Sequence, residues 1–315
     1  MTRTWLVPVV AALALFALPA VLTPYTQDLV VKIAIYAVFA LSLELLVGVT
    51  GLVSLGHAAF LGIGAYVTVL AAGDSGGSIA TVAPLAVLAA AGYALFVGAL
   101  SLRTKGVYFI MVTLAFAQMA YFVFHDTKLA GGSDGLFLYA KPALGALNLD
   151  DKRHLYYTVI VTLVTTYALL ALLMRSRFGH ALAGIRVNEQ RMRAAGFATF
   201  GYKLAAFVIA GAIAGLAGFL LAIKDGAVNP ELLSWHESGA VLLMLILGGI
   251  GSLRGAVIGA IAFTLLKELF QLESLLGPVA SHWQMTLGFT IIAFVALLPK
   301  GLIGLRSHFS GAAHG

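Results

Sequence analysis

Apolar residues along this chain come in long runs without strict alternation, separated by short polar breaks. A helix needs about 20 consecutive, mostly apolar residues to cross a bilayer. Runs of that order lie at 5–23, 30–49, 52–72, 80–100 and 107–125; after a long polar break come 154–174, 203–223, 238–250, 255–272 and 283–298. The eighth is short, which suits a broken or re-entrant segment better than a full crossing. Strands of a membrane barrel would be ~10-residue stretches of alternating polarity, whereas these runs are longer and apolar all round. The pattern therefore predicts an all-α integral membrane protein. It is a polytopic bundle of about ten transmembrane helices, with eight or nine also compatible, forming a single domain over 1–315.

Composition removes the soluble alternative. Of 315 residues, 61% are apolar and 10% charged, against about half and a quarter in an ordinary soluble domain. A mean hydropathy of +1.00 implies apolar surface facing membrane lipid. The pI near 9.5 does not indicate nucleic acid, because the basic residues are not interleaved with aromatics in a patch. There are no cysteines, so disulfides, thiol catalysis and thiolate metal sites are excluded.

Charge placement predicts orientation. With the N-terminus inside, the inner segments hold 12 Lys and Arg against the single acid Glu189; the outer segments hold 7 against 11 acids, and Glu44 falls within a helix. The positive-inside rule then places both termini on the cytoplasmic side of the membrane. The basic start and the apolar stretch ending in Leu18-Pro-Ala20 have features of a signal peptide, but an uncleaved first helix fits better. The long outer segment 126–153, with four acids, four bases, four glycines and Pro142, is expected to be an irregular surface loop.

Catalytic signatures are missing: the sequence has no HExxH and no GxxxxGK[ST], and its eight histidines are scattered. No catalytic residue and no metal site is expected, and energy from ATP would have to come from a partner chain. Attention falls on the one sizeable inner loop, 175–203. Asn188 can cap a short helix with Glu189 in its first turn and opposite Arg193 at i,i+4, and Gly196 can stop it. Phe178, Leu182, Ile185 and Met192 make an apolar stripe, which suggests docking to a partner or, as a blander alternative, seating on anionic headgroups.

Six stretches, two of them wholly within this loop, resemble the LivM-type permeases of branched-chain amino acid ABC importers, and through them the chain resembles a permease subunit of a bacterial plasma (inner) membrane. The matching stretches run in order: Gly51-Leu-Val-Ser-Leu-Gly-His-Ala-Ala-Phe-Leu-Gly-Ile-Gly-Ala-Tyr66, Gly131-Gly-Ser-Asp-Gly-Leu136, Ser176-Arg-Phe-Gly179, Ile185-Arg-Val-Asn-Glu189, Tyr202-Lys-Leu-Ala-Ala-Phe207 and Gly248-Gly-Ile-Gly-Ser-Leu-Arg-Gly255. The resemblance implies an ABC-importer permease fold and alternating access driven by two cytoplasmic ATPase subunits. It also implies a second, homologous permease subunit and an external solute-binding protein, with ATP and magnesium held by the ATPases and no cofactor in this chain. It makes 175–203 the coupling loop, with Phe178, Gly179, Leu182, Ile185, Arg186, Asn188, Glu189, Met192, Arg193 and Gly196 as its working residues. Gly131, Gly132, Ser133, Asp134 and Gly135 become the docking point for the binding protein.

Residues within the membrane suggest a route. Glycines at 51, 56, 62 and 64 can unwind a helix or let it pack closely, and Ser54 and His57 are the polar side chains beside them. Glu44 needs a partner, water or a proton, since a bare carboxylate at the bilayer centre costs at least ~3 kcal/mol. Glu44, Ser54, Gly56, His57 and Gln118 are accordingly the translocation-path candidates, with close packing or a structural hydrogen bond as the alternative at each. A reading of another class is a self-contained ion-coupled carrier or channel in which Glu44 and His57 relay a cation or proton. The pairs Gly211/Gly215, Gly251/Gly255 and Gly255/Gly259 are expected to pack helices.

Overall fold

A computed structural model describes residues 16, 19, 23–145, 147–272, 282–298 and 301–304. Its long helices are α1 (Pro24–Glu44, continuing as a wider π-helical turn Leu45–Thr50), α2 (Ala58–Ala72), α3 (Ile79–Ser101), α4 (Val107–Asp126) and α5 (Lys152–Arg175). The inner loop folds as α6 (Arg177–Val187) and α7 (Glu189–Ala194), followed by α8 (Thr199–Asp225), α9 (Trp235–Gly248), α10 (Leu253–Gln271) and α11 (Trp283–Leu297). The helix starts carry ordinary caps. Thr23 precedes Pro24 at α1, and Asp151 accepts the Arg153 N–H at 2.8 Å at α5.

Among the described residues, six helices are long and apolar enough to cross a membrane, or seven if a bent pair counts as one span. The expected ten differ from this at three places. The run 5–23 lies outside the described residues except at 16, 19 and 23. The run 52–72 is helical only from Ala58, leaving a 15-residue helix of about 22 Å at 1.5 Å per residue. The runs 238–250 and 255–272 form a pair bent by 114° at Gly249–Ser252.

Contacts at the helix ends show which ends lie together. Asp28 near the start of α1 pairs with Lys224 near the end of α8 at 3.2 Å, and Tyr25 donates to Glu268 near the end of α10 at 2.6 Å. Strand β1 (Leu136–Phe137) of loop 126–153 pairs with β4 (Ala227–Val228), while β2 (Ala143–Leu144) and β3 (Leu147–Asn148) form a small hairpin. Lys32 and Trp235 line one cavity, so α9 also begins at this end. Both free ends of the α9–α10 pair therefore lie beside loop 126–153, and its apex points toward the other end. The pair is a re-entrant V, as the short eighth run suggested.

Two helices form the centre. Their most apolar stretches are 78% buried in α1 and 72% in α8, against 22–28% for α3, α4, α5 and α11, whose exposed apolar side chains suit lipid or a partner helix. Because lipid tails are as apolar as the helix surfaces, cohesion inside a bilayer rests on close packing more than on hydrophobic burial. Small residues supply it here. A Cβ on Gly215 would lie 2.4 Å from the Ala90 methyl, on Gly211 2.4 Å from that of Ala94, and on Gly218 2.0 Å from the Leu61 carbonyl oxygen. Within the V, a Cβ on Gly248 would meet the Gly255 oxygen at 1.9 Å and one on Gly259 the Met244 oxygen at 1.8 Å. The GxxxG pairs at 211/215 and 255/259 thus pack helices as expected, while Gly251 serves the apex turn with φ +97°.

Candidate functional site

The inner loop is a folded element built on its own capping residues. Ser176 accepts the Gly179 N–H at 3.3 Å to start α6, and a Cβ on Gly179 would strike the Leu173 oxygen at 2.4 Å, so the sharp turn after α5 requires glycine. Asn188 accepts the Arg191 N–H at 2.9 Å to start α7, and Gly196 ends the element with φ +88°. The expected apolar stripe exists but faces inward. Leu182 and Ile185 are buried, Met192 is half-buried with its sulfur 2.9 Å from where a Gly184 Cβ would stand, and Phe178 stacks on Tyr202 at 5.5 Å. The stripe seats the loop on the protein's own helices. Exposed at the far end of the loop are Arg186–Asn188, Gln190, Arg191 and the stretch Arg193–Ala198.

Glu189 holds α7 to α8. Its Oε1 accepts from Arg193 at 2.6 Å, from Lys203 at 3.0 Å and from Thr199 at 3.2 Å, and Arg193 Nε also donates to Thr199 at 2.9 Å. Burial opposes ionisation of Glu189, but donation from Lys203, its ammonium charge and the Thr199 and Arg193 contacts outweigh it and hold the carboxyl below its ordinary value. The sequence predicted the Arg193 partner from i,i+4 spacing. It gave no notice of Lys203, fourteen residues on and 8% exposed.

Arg186 links the loop to the membrane core. Its guanidinium donates to the Gly48 carbonyl, inside the π-helical turn that ends α1. A π turn leaves carbonyls imperfectly matched along the axis, and a charged donor is well suited to one of them. One turn back, Glu44 Oε1 accepts the Gly251 N–H at 2.8 Å, at the apex of the V. Glu44 is fully buried and lies against Gly48, where a Cβ would fall 1.9 Å from Oε1, so Gly48 makes the space in which Glu44 reaches the apex. A continuous line of contacts thus runs from the loop through Arg186, Gly48 and Glu44 to Gly251. A cavity of about 340 Å³ borders it, lined by Thr50–Val53, Lys105, Arg186, Glu189 and Lys203.

The break between α1 and α2 is held inside protein. Non-helical backbone at membrane depth needs internal partners. Ser54 accepts the Gly56 N–H at 3.2 Å, and Ser238 of α9 accepts the Ala58 N–H at 2.9 Å. A Cβ on Gly56 would meet the Thr113 oxygen of α4 at 2.2 Å. His57 is fully buried between Phe39, stacked at 5.4 Å, and Phe60, edge-on at 5.5 Å, with Nε2 at 2.7 Å from Ser42 Oγ. Ser42 already donates to the Phe39 carbonyl at 2.6 Å, so Nε2 must be the donor to Ser42 and Nδ1 carries the lone pair. Ser54, Gly56 and His57 are packed in protein, and Gln118 is half-buried on α4. Ser42 and Glu44 lie about 200° apart around α1 at 100° per residue. The structure therefore does not bring Glu44 and His57 together: one serves the apex and the other the break.

At the opposite end, Gly131 and Gly135 both have φ +77°, and Cβ atoms there would fall 1.8 Å from the Gly135 oxygen and 1.9 Å from the Val228 oxygen. These glycines, with Gly132 at φ +60°, let loop 126–153 lie on β4. Ser133 and Asp134 stay exposed, as do Phe137 and Tyr139.

Comparison with known proteins agrees with these observations. Residues 25–296 match the family model for the permease component of branched-chain amino acid transport systems. The chain is 29% identical over 311 residues to the high-affinity branched-chain amino acid transport system permease protein LivM of Escherichia coli, covering 91% of this chain and 72% of that one. The high-affinity branched-chain amino acid transport system permease protein BraD of Pseudomonas aeruginosa is 24% identical over 302 residues, covering 89% of this chain and 96% of that one. The permease protein LivH of Escherichia coli is 27% identical over 146 residues, 46% of each chain. No solved structure is significantly similar to the chain.

Proposed function

Because this chain belongs to the family of branched-chain amino acid transport system permease components, we propose that it is one of two related permease subunits of an ATP-driven importer of branched-chain or similar apolar amino acids. It performs no covalent chemistry and holds no nucleotide; ATP and magnesium belong to two cytoplasmic ATPase subunits, and an external binding protein delivers substrate. The basic end, with Arg103, Lys105 and loop 175–203, faces the cytoplasm, and loop 126–153 receives the binding protein through exposed Ser133 and Asp134.

The observation that carries the reading is the contact line from the inner loop to the apex. The outward surface around Gln190, Arg191 and Arg193–Ala198 meets the ATPase, while the buried stripe and the Glu189 cluster make the loop move as one body. Motion of that body pulls on the Gly48 carbonyl through Arg186 and reaches the V through Glu44 and Gly251. Alternating access then consists of moving the α9–α10 apex against α1. A carrier using Glu44 and His57 as a relay finds less support, since the two side chains serve opposite faces of α1.

Affinity purification from native membranes in mild detergent, followed by mass spectrometry and reconstitution into liposomes, tests this. Co-purifying ATPases and a second permease, with amino acid uptake only when ATP is enclosed, are the expected result. A chain recovered alone and transporting alone would overturn it.

A further inference from the structure

A cavity of about 650 Å³ opens beside loop 126–153, between α1, α9, α10 and α11. That is within the ~300–1,000 Å³ of small-molecule sites. Its lining is sorted by depth. Near the helix ends stand Lys32 of α1, Glu237 of α9, Lys267 of α10 and Glu231 in the segment before α9, with Trp235 and Trp283 beside them. One or two turns further in, α9, α10 and α11 present Leu243, Met244, Phe263, Leu287 and Ile291. On α11 the sequence Trp283, Leu287, Ile291 descends at intervals of four along one face.

Both signs of charge are available at the mouth. Lys267 Nζ lies 5.3 Å from the centre of the Trp283 ring and, among the described residues, makes no ion pair within 4.0 Å. Among the described residues Glu237 accepts a long contact from the Tyr36 hydroxyl, at 3.5 Å, and lies within the field of Lys267 and Lys32 without an ion pair inside 4.0 Å. An unpaired ammonium and an unpaired carboxylate facing one space, above an apolar floor, complement a small molecule carrying both charges at one end and hydrocarbon at the other. A lipid tail needs no such mouth, and a sugar has no use for the floor. The floor is roomy because Gly239 and Gly288 leave it open: a Cβ on either meets nothing within 4 Å.

We propose that this cavity is a low-affinity binding site for the zwitterion of an apolar α-amino acid, its carboxylate at Lys267, its ammonium at Glu237 and its side chain on the Leu243–Leu287 floor. The proposal rests on the importer reading and names where substrate first meets this subunit. Two of the three tryptophans, Trp235 and Trp283, border the site, so Trp5→Phe leaves fluorescence that reports on it alone.

The test uses the full-length W5F chain in nanodiscs titrated with L-leucine, and the reconstituted complex for uptake. Expected are a saturable tryptophan response, lost in Gly288→Leu, and a rise of about tenfold or more in the KM of uptake for Glu237→Gln and Lys267→Gln, the loss typical of an unpaired charge contact. ATP hydrolysis stimulated by the binding protein should persist in all three variants. Wild-type KM in all three, with no tryptophan response, overturns the cavity and leaves the importer standing. A saturable response lost in G288L, without ATP-dependent uptake by the wild-type complex, overturns the importer and leaves the cavity.

Discussion

Replacing Glu189 by Ala removes the anion shared by three donors, and the consequences are unequal. Lys203 is 8% exposed and Glu189 21%, whereas Arg193 is 55% exposed. An exposed pair is worth about 0–1 kcal/mol, and stripping the partner from a buried charge costs about 3–5 kcal/mol. The Glu189–Lys203 contact falls between these limits, so E189A should destabilise the seating of α7 on α8 by about 2–3 kcal/mol. That is about 30- to 150-fold in the local opening equilibrium. Arg193→Ala leaves Lys203 paired and should cost under about 1 kcal/mol. Hydrogen exchange read on the amides of α7 and the first turns of α8 separates the two. The expected outcome is strong loss of protection there in E189A, slight loss in R193A, and no change in α3 or α4. Equal effects of the two substitutions would refute the assignment of Lys203 as the principal partner; unchanged exchange in both would refute the cluster as the clasp of the loop.

Further outcomes follow from the same geometry. Since the Glu189 carboxyl is held below its ordinary value in the folded loop, the clasp is intact above the usual carboxylate range; it should weaken only as pH falls through the depressed value, seen as acid-induced exchange at α7. Arg186→Ala should leave ATP hydrolysis by the assembled complex largely intact while lowering the amino acid imported per ATP; an unchanged ratio removes Arg186 from the transmission line. Glu44→Gln keeps an acceptor for the Gly251 N–H and should transport, whereas Glu44→Leu should not; equal uptake by both would make that hydrogen bond dispensable. Gly218→Ala, whose methyl would stand 2.0 Å from the Leu61 oxygen, should cost about 1–3 kcal/mol and lower the Tm in detergent, while Gly239→Ala, in open space, should not.

Much of this was legible because the bilayer imposes simple rules. Apolar runs of sufficient length marked α1, α3, α4, α5 and α8, and the shortness of 238–250 marked the bent pair. Local signals were equally plain in the loop, where Asn188, Glu189 and Gly196 marked the limits of α7, while the Ser176 cap that starts α6 went unread. The break at 51–57 was harder: its residues are apolar enough to continue a span, and only four glycines within fourteen positions hinted that the helix starts at Ala58. The direction of the stripe was not legible, because an apolar face on a loop helix looks the same whether it meets a partner or the protein's own core. Leu182 and Ile185 meet the core because the chain turns sharply at Ser176, where Gly179 gives the clearance for α6 to lie back against the end of α1.

Glu44 shows why a lone polar residue within a span defeats sequence reasoning. Its acceptor role is met by a backbone N–H 207 positions later, and backbone groups carry no sequence signature. What makes that N–H free is the apex, where Gly249 and Gly251 take positive φ and leave the turn without regular helical bonding. What makes room for the carboxylate is Gly48, one turn along α1, in the same π-helical turn whose carbonyl receives Arg186. Each of these features alone, an acid in a helix, a glycine at i+4, a glycine pair at a bend and an arginine in a loop, has an ordinary explanation. Together they define a junction in which the buried Glu44 carboxyl is bonded to a main-chain donor at the apex of the V. A site built to pass protons would leave Glu44 facing water; one built to transmit displacement would bond it to the part that must move.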